Sequence, residues 1–424
     1  MATAAKIAEV LFENALETVE SQQKLVDLVT FMPYDAKTMQ RSGNVVWRTV
    51  RGRANSISGW DVTGEETPTI REEYPAILGT PIGDLVSERV DDVRDMIQWK
   101  ERGIESGRKQ ASVLNSALAT AIKNQGSLFY RSNDDSAWDF MTEAQVMMNE
   151  RQGTNMGRYF LFNDRDMRTF GKDLAARQTL QGRADAVWAP GQIAQNVAEF
   201  DVFTGSFIPS LTGGADPATT VTGNHSFKPE AGTVDQDAGT VTNVDYRKAS
   251  IVVASSASYN VGDKVYFANS GTPVYSVGLD TKESTGQPMT FTIVAKADST
   301  HITVYPKPIA YDDTSLTSLE KQYANINTTI LNAATVNRLN LDASVKPNLF
   351  WDKSAIEVIG GTIPADLLQQ FGGLKVMSET MKNGLTMYFL YDANMIQMTL
   401  RCRLFVWYGI TVKNPSNCGV AVKY

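Results

Sequence analysis

The chain has 424 residues, of which 42% are hydrophobic and 21% charged, with a net charge of −7. This is enough chain for two or three domains with buried cores, and the charge balance excludes a generally basic nucleic-acid binder, so any contact with nucleic acid is local. No apolar run reaches the roughly 18 residues of a membrane span.

The start, Met1-Ala2-Thr3-Ala4-Ala5-Lys6, runs into a stretch broken by acids and does not read as a signal peptide, so the protein is expected to stay in the compartment where it is made. Residues 7–29 read as one amphipathic helix or two. Ile7, Leu11, Ala15 and Val19 recur every four residues, while Glu9, Glu13, Glu17 and Glu20 run along the opposite side. A solvated face and a docking surface for a basic partner both fit this stripe; only the second accounts for its alignment.

Met32-Pro33 ends the helix, and Val45-Val46-Trp47-Arg48-Thr49-Val50 begins a strand. From Arg51 to Pro81 the chain carries charges of both signs, among them Arg51, Arg53, Glu65 and Glu66, with glycines at 52, 59, 64 and 79. A long β-hairpin projecting from the body is predicted, and a charged hairpin without its own core commonly lies on a neighbouring subunit. Gly83 to Gly126 is free of proline, with Leu85, Val86, Val90, Val93, Ile97, Ile104, Ala111, Leu114, Leu118 and Ile122 in helical period. This predicts a spine about 60 Å long at about 1.5 Å per residue, with Gly103 and Gly107 as points where it bends.

Residues 138–190 alternate helical segments with one buried strand, Tyr159-Phe160-Leu161-Phe162. Between residues 151 and 183, Arg151, Arg158, Arg165, Arg168, Lys172, Arg177 and Arg183 face three acids, Asp164, Asp166 and Asp173, which suits either a packaged polyanion or subunit and surface pairing. Residues 221–310 form a Thr/Val/Gly/Asp-rich island. Ser250–Val253, Lys264–Phe267, Met289–Val294 and His301–Tyr305 are β-branched and aromatic runs bounded by turn residues. They predict a small antiparallel barrel or sandwich inserted into a host that needs both flanks to close its core. Leu316 to Leu341 reads as a helix, and Met387–Tyr391 and Leu400–Tyr408 as strands completing the host sheet.

Motifs for chemistry are nearly absent. His225 and His301 stand apart from any cysteine or acidic motif, and no zinc-ligand, phosphate-loop or nucleophile-elbow spacing occurs. Asp91-Asp92, Asp134-Asp135 and Asp312-Asp313 are sequence neighbours that point apart on a helix or strand. The spacing of Cys402 and Cys418 permits a disulfide that neither number nor context calls for. The chain reads as no enzyme, with no cofactor.

Several segments carry a family resemblance from one end of the chain to the other. They are Met39-Gln40-Arg41-Ser42 with Asn44 and Trp47, Gly59-Trp60-Asp61, Asp91-Asp92-Val93-Arg94-Asp95 and Ser226-Phe227-Lys228-Pro229. Further on come Lys307-Pro308-Ile309-Ala310-Tyr311-Asp312-Asp313 through Tyr323-Ala324-Asn325-Ile326-Asn327, Phe350-Trp351, Ile363-Pro364-Ala365 and Trp407-Tyr408-Gly409. With the order of parts above, the chain resembles the major capsid proteins of tailed double-stranded DNA phages, and among them the coat protein of the P-twenty-two-like podoviruses, short-tailed temperate phages of enteric bacteria. Its extreme C-terminus looks shorter than the family's, and the loop between Lys228 and Tyr246 differs in length.

The resemblance implies an α+β tailed-phage coat-protein fold. Its parts would be an N-terminal helical arm (1–32), an extended β-hairpin loop (41–82), a spine helix (83–127), a peripheral and axial domain in two parts (128–220 and 331–424), and an inserted small antiparallel β-barrel (221–330). It implies a structural major capsid protein that assembles as hexamers and pentamers around a scaffolding protein into an icosahedral procapsid. This shell would expand on maturation and enclose double-stranded DNA, delivered through a portal protein and held without sequence specificity. The protein would be found in the virion after assembly in the host bacterial cytoplasm, with no membrane partner. Glu9, Glu13 and Glu17 are the expected scaffold contacts, and Arg48, Arg51, Arg53, Glu65 and Glu66 the expected extended-loop contacts. A loop near residues 230–247 would reach a neighbouring capsomer through Asp235, Asp237, Asp245, Arg247 and Lys248, and Gly103 and Gly107 would be the hinges of expansion. The alternatives are a nanocompartment shell protein of the same fold, which would ordinarily lack the inserted barrel, and a carbohydrate-binding or adhesin protein built on the β island.

Overall fold

The computed structural model describes residues 4–33, 45–50, 52–64, 70, 72–89, 96–134, 136–151, 155–178, 192–215, 219–230, 245–340, 343–364, 368, 375–394, 396 and 398–423. The chain divides into two compact units, one of Met1–Val46, Ala76–Leu118 and Glu357–Thr411, the other of Trp47–Pro75, Ala119–Ile356 and Val412–Tyr424.

In chain order the first elements are α1 (Ala4–Gln22), β1 (Thr30–Pro33), β2 (Val45–Thr49), β3 (Glu73–Ile77), β4 (Ile82–Arg89) and α2 (Met96–Gln125). Next come β5 (Leu128–Ser132), α3 (Ala137–Glu150), β6 (Arg158–Phe162), α4 (Asp164–Gln178), β7 (Gln192–Val197) and β8 (Phe200–Thr204). The island holds β9 (Thr219–Thr220), β10 (Ala249–Val252), β11 (Lys264–Asn269), β12 (Thr272–Pro273), β13 (Tyr275–Val277), β14 (Ser284–Pro288), β15 (Phe291–Lys296), β16 (His301–Tyr305), α5 (Ser318–Lys321) and β17 (Thr335–Arg338). The chain closes with β18 (Asn348–Asp352), β19 (Ile356–Gly360), β20 (Lys375–Thr380), β21 (Thr386–Asn394), β22 (Thr399–Val406), β23 (Tyr408–Val412) and β24 (Cys418–Lys423).

In the first unit, Ile7, Leu11, Ala15 and Val19 of α1 are all buried, as their four-residue spacing dictates. Beneath lies an antiparallel sheet in the order β20-β21-β22-β4, with β22 in an interior position, and Phe12 of α1 packs against Phe389 of β21 at 5.9 Å between ring centroids. The spine expected from Gly83 departs here from its sequence reading. Residues 82–89 are a strand, paired with β22 through Leu85↔Arg403 and Val86↔Cys402, and the described helix begins at Met96. Val86 is buried and its neighbour Leu85 is 68% exposed. Adjacent apolar residues on opposite faces are the period of a strand, and a helical count absorbs them only because a valine and a leucine also fit its stripe.

In the second unit, a mixed sheet in the order β5-β24-β18-β6-β8-β7 carries one core. Phe140 of α3 and Phe170 of α4 meet Phe160, Phe162, Phe200 and Phe350 of the strands, all fully buried. Phe140 and Phe170 lie 5.0 Å apart, close enough for the offset aromatic packing that adds to burial.

The island is a closed barrel of the same unit. Its antiparallel path runs β10-β16-β15-β11-β17-β9, and the bridge between Val221 and Val253 joins the two ends. Ile251, Phe267, Phe291, Ile293, Ile302, Val304 and Val336 fill it. Closure removes the exposed strand edges. Because β9 and β17 are barrel strands, the barrel runs from Thr219 to Arg338, somewhat beyond the 221–330 expected. The helix expected over Leu316–Leu341 is reduced to the four residues of α5, capped by Thr317 and Glu320. Asparagines after it bind distant backbone instead: Asn325 accepts from Ile309 N at 3.0 Å and donates to Lys307 O at 2.8 Å, Asn327 accepts from Tyr275 N at 2.9 Å, and Asn332 accepts from Gly223 N at 2.8 Å. Side chains that offer the backbone such partners compete with a helix.

Candidate assembly surfaces

α1 lies on α2 at two glycines. A Cβ at Gly103 would meet Leu11 O at 2.6 Å, and one at Gly107 would meet Ala15 O at 2.5 Å. Further along, Asn115 of α2 caps the end of α1, donating to Gln22 O at 3.1 Å and accepting from Lys24 N at 3.2 Å and Leu25 N at 3.3 Å. Partner numbers rise together, so the two helices run parallel. Glu9, Glu13 and Glu17 are exposed on the outer side of α1, whereas Glu20, fourth in the stripe, is engaged within the chain by Lys382 N at 3.0 Å and Lys382 Nζ at 3.3 Å. The helix passes unbroken through Gly103 and Gly107. These glycines, expected as bending points, are where a neighbouring backbone comes too close for a side chain.

The extended loop is fastened at its base to the barrel side of its own chain. Arg53 Nη1 donates to Leu279 O at 3.2 Å and pairs with Asp280 at 3.6 Å. One hydroxyl holds both legs: Tyr323 Oη accepts from Arg53 N at 3.1 Å and donates to Ile70 O at 3.2 Å. Ile70 packs on the small core of Ile309, Leu316, Tyr323 and Ala324. The middle of the loop stands away, with Ile57, Val62 and a fully exposed Trp60. Arg48 lies on β2; Arg51, Glu65 and Glu66 lie outside the described residues. The sequence flags the charges but gives no sign that Tyr323, some 250 residues on, ties the loop down.

Of the loop near 230–247, Asp235 and Asp237 also lie outside the described residues. At its far root, Asp245 accepts from Arg247 Nε and Nη2, each at 2.9 Å, and pairs with Lys248 Nζ at 3.1 Å. The Arg247 side chain is only 8% exposed. It donates to Val412 O at 2.9 Å, lies 4.5 Å over the Tyr74 ring and 5.2 Å over that of Tyr305. Burial works against the Asp245 carboxylate, but the Arg247 hydrogen bonds and the charges of Arg247 and Lys248 outweigh it and hold its pKa below the ordinary value. Asp245 and Arg247, expected to face a neighbouring capsomer, satisfy each other inside their own chain. At the near root, Lys307 Nζ pairs with Glu230 at 3.1 Å.

The basic cluster of residues 151–183 is divided by burial. Arg151 and Arg158 are buried, the first on Thr290 Oγ1 at 2.9 Å and the second on Glu199 at 2.8 Å and Asn149 at 2.7 Å. Arg165 and Arg168 are exposed on α4. Cys402 and Cys418 are buried free thiols.

The family model described as P22 coat protein, gene protein 5, matches residues 1–423. Among solved structures, the capsid of the cyanophage P-SCSP1u is similar at 9% identity, with 96% of this chain and 89% of that chain covered and a TM-score of 0.46. The capsid of Ralstonia phage GP4 is similar at 10% identity, covering 96% of this chain and 90% of that one, TM-score 0.45. A chain of Mycobacterium phage Che8 is similar at 10% identity, covering 94% and 91%, TM-score 0.44.

Proposed function

Because the chain belongs to the P22 coat protein family and is thus a major capsid protein that self-assembles into shells, we propose that its copies form hexamers and pentamers around a scaffolding protein. The product is an icosahedral procapsid that expands and encloses double-stranded DNA entering through a portal protein. Assembly takes place in the host bacterial cytoplasm.

The observation that supports this reading most is the arm. One side of α1 is buried, and the other presents Glu9, Glu13 and Glu17 in a row of exposed acids, a surface suited to a basic scaffold segment. Exposed ion pairs contribute only about 0–1 kcal/mol each, so scaffold contacts stay reversible and the shell gains strength from many repeated interfaces. Asp235, Asp237 and the partly exposed Lys248 are the candidates for contact with another capsomer. Asp245 and Arg247 anchor the root of that loop. The extended loop contributes Arg48, Arg51, Glu65 and Glu66 to neighbouring subunits, with Arg53 holding its base. Exposed Arg165 and Arg168 are the candidates for contact with packaged DNA. Gly103 and Gly107 serve the seat of the arm on α2, and expansion then changes how the arm and extended loop pack.

Electron microscopy of the chain co-expressed with and without a phage scaffolding protein tests the reading. Uniform closed shells that depend on the scaffold are expected. Monomers under both conditions would overturn it.

A further inference from the structure

The seat of α1 is incomplete beneath the helix's last turn. Gly103, Ser106, Gln110 and Leu114 follow one another at three or four residues along α2 and so share the side that receives α1. Ser106 and Gln110 are more than nine-tenths buried, yet neither Ser106 Oγ nor Gln110 Oε1 has a hydrogen-bond partner among the described residues. The Gln110 amide nitrogen donates to Leu404 O at 3.4 Å, and because a carbonyl oxygen only accepts, the side chain cannot turn its own oxygen there instead. Tyr408, which opens β23, is buried to the same degree, and its hydroxyl is also without a partner among the described residues. Just past α1, Gln23 Nε2 reaches only the Met381 sulfur, at 4.0 Å, and Gln23 Oε1 has no partner among the described residues.

Packing there is incomplete as well. Val19 of α1, Gln110 and Leu114 of α2, Met381 and Tyr408 border a cavity of about 10 Å³, which has room for one water at most. Comparable buried hydroxyls elsewhere are satisfied: Tyr130 Oη donates to Phe140 O at 2.6 Å, and Ser127 Oγ to Pro415 O at 2.9 Å. A buried polar group that has given up water without gaining a partner raises the free energy of the closed state. Against this stand the contacts that keep the turn down. Asn115 binds Gln22 O, Lys24 N and Leu25 N, and Lys382 binds Glu20.

We propose that this junction is a loaded latch: Asn115, Lys382 and the apolar side of α1 hold its last turn down against four buried polar groups that water satisfies once the turn lifts. The arm is thereby poised to leave its seat on α2. The latch lies within one subunit, so it stands or falls independently of scaffold binding and shell formation.

Removing a buried tyrosine hydroxyl ordinarily destabilises a protein, because a hydrogen bond goes with it. Removing that of Tyr408 relieves the closed state instead, because none does. Hydrogen exchange and thermal unfolding of the full chain, wild type against Tyr408→Phe, test this. Amides of residues 17–23 are expected to exchange about tenfold more slowly in Tyr408→Phe, and the melting temperature to rise. The control, Tyr130→Phe, removes a hydroxyl that has a partner and should lower the melting temperature. Unchanged or faster exchange at residues 17–23 in Tyr408→Phe would overturn the latch, since the hydroxyl would then be satisfied in the seated arm, as by a water in the cavity. Failure of Tyr408→Phe to fold would overturn it for the same reason.

Discussion

A methyl group on Gly107 would lie 2.5 Å from the backbone oxygen of Ala15. A backbone atom cannot swing aside as a side chain can, so α1 must move away from α2. Gly107→Ala is therefore expected to cost about 1–3 kcal/mol by overpacking, net of the roughly 1 kcal/mol gained in helix propensity. Thermal unfolding measures the loss, and proteolysis within α1 reports its displacement. Gly171→Ala on α4, where the nearest atom is the flexible Met167 Cε at 3.6 Å, should be neutral or stabilising. Normal subunit stability with altered shell expansion would instead restore a hinge role for Gly107.

Tyr323→Phe removes the hydroxyl that accepts from Arg53 N and donates to Ile70 O. The expected loss of stability is about 1 kcal/mol or slightly more. Trypsin should cut after Arg51 and Arg53 several-fold faster, while the barrel melts as before. An unchanged cleavage rate would mean that the base of the loop is held by its apolar contact at Ile70.

Arg247 and Lys248 both pair with Asp245, but the first is buried and the second partly exposed. Arg247→Met, which strips a buried carboxylate of its main partner, should cost about 3–5 kcal/mol, and Lys248→Met no more than about 1 kcal/mol. The Asp245 pKa lies below its ordinary 3.8 in the folded chain. Its contribution is therefore present above that value and is lost as the pH falls through the folded one. Acid unfolding should begin at higher pH in Arg247→Met than in wild type, measured by circular dichroism.

Reversing Glu9, Glu13 and Glu17 together to lysine should leave the monomer's melting nearly unchanged, since exposed substitutions stay within about 0.5 kcal/mol each. Co-assembly with the scaffolding protein should be abolished and restored in part by acidic substitutions on the scaffold. Assembly at wild-type yield would remove the arm from the scaffold interface.

Sequence alone determined what depends on neighbours a few residues apart. The four-residue period of Ile7, Leu11, Ala15 and Val19 made α1 and chose its buried side. The β-branched runs around Ile251, Phe267, Phe291 and Val304 made the barrel strands, because alternation and turn residues are local properties of the chain. The match across residues 1–423 carried the function. Tertiary structure decided whatever depends on a partner far along the chain. Leu85 and Val86 became a strand because β22, more than 300 residues later, supplied the ladder. Gly107 became the seat for Ala15, Arg247 turned inward to Val412, and Lys264, which in sequence is one more charge at the start of a strand, became buried at the end of a helix. A local pattern fixes which face of an element is apolar, but it carries no information about which distant backbone oxygen or carboxylate will come to lie against that element, and that is settled only when the core closes.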